Sequence, residues 1–366
     1  MKINQMEPTY GKEEKEAIVK YLDSGAWLME HKQTHMLEKM MCDITGAKYS
    51  VAVPNGTLTL IAGLKALGVK PGDEVIVPDY TIIASATCAS FIGAKPVFVD
   101  VEDKTYGIDV NHLKQRITDK TKAVVLVSIN GRPPAHWDSI LSVCDKKNIP
   151  ILEDSAQSLG SYYNGGVSKV HIGRLGLIGS FSFSVSKIVT MGNGGILVTD
   201  DKEIFEELCF MKNFGRLKGG MDRNYYPGID LKFNDVLATI GIEQLKKLSD
   251  RINRKKVMYK LYENKLKNVD KIEFIKTDLK YTSPWMNDIL LPNSEVREKL
   301  INHLSEKGIG SRKFYPAIHT QEPFASDTRF YNSTKVSKRG LWLPSSLKLT
   351  NNQIMNICNE IKNCLE

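Results

Sequence analysis

Residues 182–195 read SFSVSKIVTMGNGG. A single lysine, Lys187, lies in a run of small and apolar residues, and a Gly-x-Gly-Gly turn follows it. Burial strips hydration from an ammonium group, lowers its pKa and leaves a neutral amine that can act as a nucleophile. That is the setting a Schiff-base lysine requires. The alternative is a lysine at a strand end whose stem is covered while its head reaches water. The flanking sequence bears on the choice.

Apolar, strand-like runs alternate with helical patterns on both sides of this stretch. SVAVP (50–54), EVIVP (74–78), KPVFVDV (95–101), AVVLVSI (123–129), IPILEDS (149–155), SFSFS (180–184) and GILVTDD (195–201) read as strands. TLTLIAGLKALGV (57–69), TIIASATCASFIGA (81–94) and 136–147 read as helices. Continuous apolar strands joined by helices predict a largely parallel sheet covered on both faces. Residues 163–178 read as a hairpin or loop leading into the lysine strand. Beyond about residue 245 the pattern changes to a basic helix, short strands, a helix near 295–307 and a last helix near 350–364. The expected organisation is a large α/β domain over 1–245 and a smaller α+β domain over 246–366.

Three further features sit at strand ends. VPNGTLTL (53–60) is a strand, an Asn-Gly-Thr turn and a helix start, where free backbone N–H groups attract an anion and Gly56 admits it closely. Strand–turn–helix junctions of this kind are also common without a ligand. ILEDSAQSLG (151–160) places Glu153 and Asp154 at the carboxyl end of an apolar strand, where open α/β sheets bind ligands. A carboxylate there can hold a pyridinium nitrogen protonated; the alternative is a cap for a helix over 156–160. Ser182, five residues before Lys187, offers a hydroxyl to a phosphate. Their order along one alternating chain is more specific than any member.

These segments resemble the DegT-type nucleotide-sugar aminotransferases, pyridoxal phosphate enzymes with the aspartate-aminotransferase fold. The resemblance runs from near residue 7 to the C-terminus. It is carried by SVAVPNGTLTLIAGLKALGVKPGDEVIVPDYT, GAKPVFVDV, ILEDSAQSLGS, SFSFSVSKIVTMGNGGILVTDD, ATIGIEQLKKL, SRKFYPAIHTQ and RGLWLPSS. It implies a fold type I architecture, with a mostly parallel seven-stranded sheet between helices. It implies that Lys187 carries pyridoxal 5'-phosphate and moves the substrate proton, and that Asp154 pairs with the ring nitrogen. Gln157 would lie beside the ring oxygen, and Gly56, Thr57 and Ser182 would bind the phosphate. Ile82 falls where many relatives stack an aromatic residue on the ring, with Tyr80 close by. A homodimer with shared active sites is implied, in which a segment like 228–235 reaches across. Asp230 falls where relatives offer an asparagine to the phosphate; Lys232 or Asn234 are the alternatives. Arg312, Tyr315 and His319 are candidates for substrate contact, with a purely structural role the alternative for His319.

Some relatives carry histidine in place of the lysine and act as sugar 3-dehydratases; Lys187 points to transamination. The implied donor is L-glutamate. The implied acceptor is anionic, a nucleotide-linked 4-keto-6-deoxy sugar in surface polysaccharide biosynthesis, with a small keto phosphate or non-nucleotide sugar as the alternative. The bulky His136 and Trp137 in INGRPPAHWD depart from the commoner family form near the place where family substrates sit.

The 366-residue length, 42% hydrophobic and 25% charged, suits two globular domains. The formal charge of +8 owes much to KKLSDRINRKKVMYK (246–260). No aromatic-interleaved basic motif accompanies it, so a solvated helix face is expected rather than nucleic-acid binding. Six cysteines are scattered without CxxC pairs, so neither a metal site nor a disulfide framework is expected. No apolar run is long enough to cross a bilayer, and the charged N-terminus is not a secretion signal, so a cytoplasmic protein is expected.

Overall fold

The computed structural model describes residues 2–165, 168–217 and 222–366. The strands are β1 (Tyr49–Val53), β2 (Glu74–Pro78), β3 (Lys95–Val99), β4 (Thr121–Val127), β5 (Ile151–Asp154), β6 (Tyr162–Asn164), β7 (Lys169–His171), β8 (Ile178–Ser182), β9 (Gly195–Thr199), β10 (Asn287–Leu290), β11 (Arg312–Lys313) and β12 (Gly340–Leu343). The helices are α1 (Lys12–Asp23), α2 (Lys32–Thr45), α3 (Gly56–Ala66), α4 (Ala84–Phe91), α5 (Val110–Arg116), α6 (Trp137–Asp145), α7 (Lys202–Lys212), α8 (Asp235–Lys246), α9 (Leu248–Leu266), α10 (Ser294–Glu306), α11 (Tyr331–Arg339) and α12 (Asn351–Leu365).

Seven strands form the central sheet in the order β1-β9-β8-β5-β4-β2-β3. β9 runs antiparallel to both neighbours, and the remaining pairs are parallel. The reason lies in residues 183–194. Phe183 N–H donates to Gly194 O and Met191 N–H to Phe183 O, so the link folds back on itself and holds no crossover helix. A parallel return needs such a crossover. The lysine stretch therefore sits in a reversal at the carboxyl edge of β8.

Apolar side chains fill both faces. Leu60, Leu64, Val75, Val125 and Leu152 belong to one core cluster, and Val97, Leu126, Ile140 and Ile151 to another. Trp137 is buried in the second, so its indole packs under the sheet rather than facing ligand; His136 beside it is exposed. Residues 163–178 include the expected hairpin, β6 with β7, although positions 166 and 167 lie outside the described residues. Helix α4 starts at Ala84, three residues later than the apolar pattern implied. No helix follows Asp154; residues 156–160 form turns.

A second core gathers Met258, Tyr262, Leu266, Leu300, Leu341, Ile354 and Ile361 around the three-stranded sheet β10-β12-β11. Ile3 joins this core, its N–H donating to Gly308 O. Helix α9 passes from one core to another: Leu248 packs in a cluster with Leu37, Phe181 and Leu245, and Met258 in the core around the three-stranded sheet. Lys246 and Lys260 are exposed as expected of a solvated face, but two of the basic residues depart from it. Arg251 is buried and donates to Ile188 O at 2.9 Å and Thr9 O at 3.1 Å. Lys255 is buried as well. These cations serve as donors to loop carbonyls rather than as a surface field. All six cysteines are free, and no described helix is long and apolar enough to cross a membrane.

Candidate active site

Alternation along β5 separates its two terminal carboxylates. Glu153 accepts backbone N–H groups from Gly173, Leu175 and Gly176 at 2.9, 2.5 and 2.7 Å, anchoring the loop before β8. Burial pushes its pKa up to about 7, against those three donors. Asp154 serves the other side. It is buried, takes the Ser85 hydroxyl at 2.7 Å on Oδ2 and the Ala156 N–H at 3.2 Å on Oδ1, and has no cation bonded to it among the described residues. A buried anion held only by neutral donors has capacity left for one charged partner.

Lys187 is half-buried and makes no hydrogen bond through its amine among the described residues. Loss of hydration lowers its pKa to about 8; Asp154 opposes this fall and Arg312 adds to it. Its Nζ lies 4.5 Å from the centre of the Trp285 ring. The Trp285 indole N–H donates to Ser186 O at 2.8 Å, which fixes the loop that carries the lysine. Gln157, Ser182, Lys187 and Trp285 line one small recess. The Gln157 side-chain oxygen accepts the Asn130 N–H at 2.7 Å, which leaves its amide N–H groups to face a ligand.

The anion site stands where the turn placed it. Asn55 caps α3 by accepting Leu58 N–H at 2.9 Å, and the helix begins at Gly56. A Cβ on Gly56 would stand 2.7 Å from the Cβ of Ser182, so glycine is what lets β1–α3 and β8 converge there. The exposed Thr57 and half-buried Ser182 hydroxyls flank the convergence.

From β11, Arg312 lies over the rings of Tyr315 and Trp342 at 5.7 and 5.5 Å. Tyr315 is buried, which raises its phenol pKa; Arg312 opposes the rise and Asp154 adds to it. The lysine amine, the β5 carboxylate, the guanidinium and the phenol thus share one electrostatic neighbourhood. A cleft with a free amine, a carboxylate without a cation and an N-terminal anion cradle suits a phosphorylated aromatic aldehyde.

The sequence pattern of the DegT/DnrJ/EryC1/StrS aminotransferase family matches residues 8–362. The chain belongs to this family. GDP-perosamine synthase of Escherichia coli O157:H7 is 32% identical over 97% of this chain and 96% of its own. GDP-perosamine synthase of Vibrio cholerae is 31% identical over 98% and 97%. Among solved structures, the PLP form of the putative sugar aminotransferase Spr1654 from Streptococcus pneumoniae superimposes with a TM-score of 0.93 at 26% identity, covering 100% of this chain and 98% of that one. The chain is a pyridoxal phosphate-dependent aminotransferase of fold type I.

Other expected site residues of this aminotransferase lie elsewhere in the fold. The His319 ring is tied to Asp79, Nδ1 to Oδ2 at 2.6 Å, and packs on Phe330. Its backbone N–H also bonds Asp79, so its observed contacts are those of a lock between the end of β2 and residues 318–320. Tyr80 is fully buried between Tyr106 and Phe314, turned into the core, whereas Ile82 is partly exposed at the carboxyl edge. Asp230 is exposed, and its carboxylate accepts the Lys232 N–H. Lys232 lines a separate recess with Trp27, Met29, Lys212 and Arg216. Asn234 is engaged as the cap of α8. Within one chain, this segment does not line the Lys187 recess. Ser85, Asn130 and Trp285 were not singled out from sequence. The one signal for Ser85 is a small hydroxyl residue near the start of the helix that follows β2. The signal for Trp285 is an isolated aromatic ahead of the short strand NDIL.

Proposed function

We propose that this enzyme moves the amino group of an amino acid, L-glutamate, to the keto carbon of a nucleotide-linked 4-keto-6-deoxy sugar, and that it works as a homodimer. The observation that carries this reading is the Lys187 amine, which shares a recess with Gln157 and Ser182 and lies within the electrostatic reach of the Asp154 carboxylate and the Arg312 guanidinium. Support for the sugar comes from relatives named GDP-perosamine synthase that match along nearly the whole chain. Arg312 supplies a planar cation of the kind that binds the carboxylate of a donor or the phosphates of an acceptor.

When bound, pyridoxal phosphate supplies the carbonyl that carries the amino group and a ring that withdraws electrons from the reacting carbon. The residues of the chain do the rest. Asp154 would hold a proton on the ring nitrogen, and Ser85 keeps that carboxylate in place. The α3 N-terminus at Gly56 and Thr57, with Ser182, would hold the phosphate. Lys187 takes the proton from the donor carbon and returns it on the acceptor side. A pKa near 8 leaves on the order of a tenth of its amine neutral at pH 7. Gln157, which lines the recess, would lie beside the ring.

The experiment is a pair of half-reactions followed by absorbance. Glutamate is expected to bleach the cofactor band of the loaded enzyme. A GDP- or dTDP-4-keto-6-deoxy sugar is expected to restore it. Restoration by a small keto phosphate alone would overturn the nucleotide-sugar assignment and leave the aminotransferase. Failure of glutamate to bleach the band would overturn the donor assignment.

A further inference from the structure

Lys255 stands on α9 with 1% of its surface exposed and no carboxylate paired with it among the described residues. Its Nζ donates to two backbone carbonyls, Trp285 O at 2.8 Å and Ser345 O at 2.5 Å. Burial of an unpaired cation is costly, and a methionine of similar length would fill the space without that cost. What methionine cannot do is bond two carbonyls. Even the neutral amine keeps two N–H donors, which matches the two acceptors. The two carbonyls belong to the chain entering β10 and the chain leaving β12. Ser345 also takes the Asn287 N–H at 2.9 Å, so the same strap is tied at successive residues.

The strap reaches the active site at both of its faces. Trp285 bonds the lysine loop through Ser186 O and lays its ring 4.5 Å from the Lys187 amine. Met286, the next residue, exchanges two bonds with the Asn130 side chain at 2.7 and 3.0 Å, and Asn130 N–H holds Gln157. The Lys255 bond lands on the residue between these two functions and the core of the small domain. We propose that Lys255 is a positioning residue for Lys187, acting through Trp285. The inference rests on Lys187 being the reacting amine. It assigns to Lys255 the placement of the indole, and through it the exclusion of water from that amine.

The test uses the full chain without cofactor. Lysine amines are acylated with acetic anhydride between about pH 6 and 10, and modification of the Lys187 peptide is read by mass spectrometry. The wild-type midpoint is expected near pH 8. Lys255→Met and Trp285→Phe are each expected to raise it by about 0.5, because a loosened indole rehydrates the ammonium. The double variant is expected to match the single ones. A Lys255→Met midpoint equal to the wild type overturns the proposal, whether or not Trp285→Phe moves. So does a double variant whose shift is the sum of the two. If Lys255→Met does not fold, Lys255→Gln, which reaches at most one carbonyl, decides: a smaller rise supports the proposal and no rise overturns it. The aminotransferase reading fails on a different readout, a wild-type chain that never acquires the cofactor band.

Discussion

Asp154 shows how much one side chain depends on a neighbour that carries no charge. Its carboxylate is buried and relies on Ser85 Oγ and one backbone N–H. Asp154→Asn removes the charge that keeps a ring proton in place and is expected to lower the half-reaction rate roughly 10²- to 10⁴-fold. Ser85→Ala keeps the charge and removes one charge-assisted hydrogen bond, so a loss of roughly ten-fold is expected. Single-turnover absorbance with glutamate measures both. A Ser85→Ala enzyme as fast as the wild type would show that the hydroxyl does not hold the carboxylate. Sequence made Asp154 legible because it ends an apolar strand. It did not make Ser85 legible, because nothing local to Thr81–Ser85 shows which carboxylate 69 residues away the hydroxyl meets.

At the scale of elements, strand and helix order was readable from apolar runs, and the reversal of β9 was not. An apolar strand reads the same in either direction; the direction is set by how residues 183–194 fold, through contacts such as Gln244 with Thr190 N–H that come from α8. Two basic residues of α9 escape a reading from sequence for a related reason. Arg251 and Lys255 lie on the buried side of α9, with Met258 and Tyr262 one and two turns further on, but their charge made that face look solvated. Buried charge likewise ties α1 to α8. Glu14, 2% exposed, accepts Gly11 N–H, the Gln244 amide and the Lys247 ammonium. Burial works to raise its pKa, and Lys247 with these donors overcomes that, holding it near 2 against an ordinary 4.5. A depressed carboxylate stabilises the fold above its unfolded value and loses that contribution as pH falls through its folded value. Glu14→Gln is therefore expected to cost about 2 kcal/mol at pH 7. The deficit should shrink as pH falls from 4.5 toward 2. Urea unfolding of both chains across that range checks it, and a deficit independent of pH would refute it.

At the scale of the molecule, the surface around the second recess is more apolar than a lone soluble chain needs. Trp27 is 77% exposed, Ile229 55% and Leu28 51%. Backbone bonds from Glu30 to Phe233 and from Asp235 to Leu28 bind residues 28–30 and 233–235 side by side, so Trp27 and Leu28 stand next to the segment that carries Ile229. Clustered exposed apolar groups of this size mark an interaction surface. A second copy of the chain is the occupant that the dimer reading requires, and it would bring Asp230 and Lys232, which do not line their own Lys187 recess, to that of the partner. The wild type is expected to sediment as a dimer, and the double variant Trp27→Asp, Ile229→Asp, which places two charges in that surface, as a monomer. If phosphate binding is shared between copies, the monomer should also hold pyridoxal phosphate at least about ten-fold more weakly, since each lost charge-assisted contact costs about 1.5–3 kcal/mol. A folded monomer that binds cofactor as tightly as the wild type would confine the whole cofactor site to one chain. Lys232 and its neighbours would then have to be explained by the recess they line themselves.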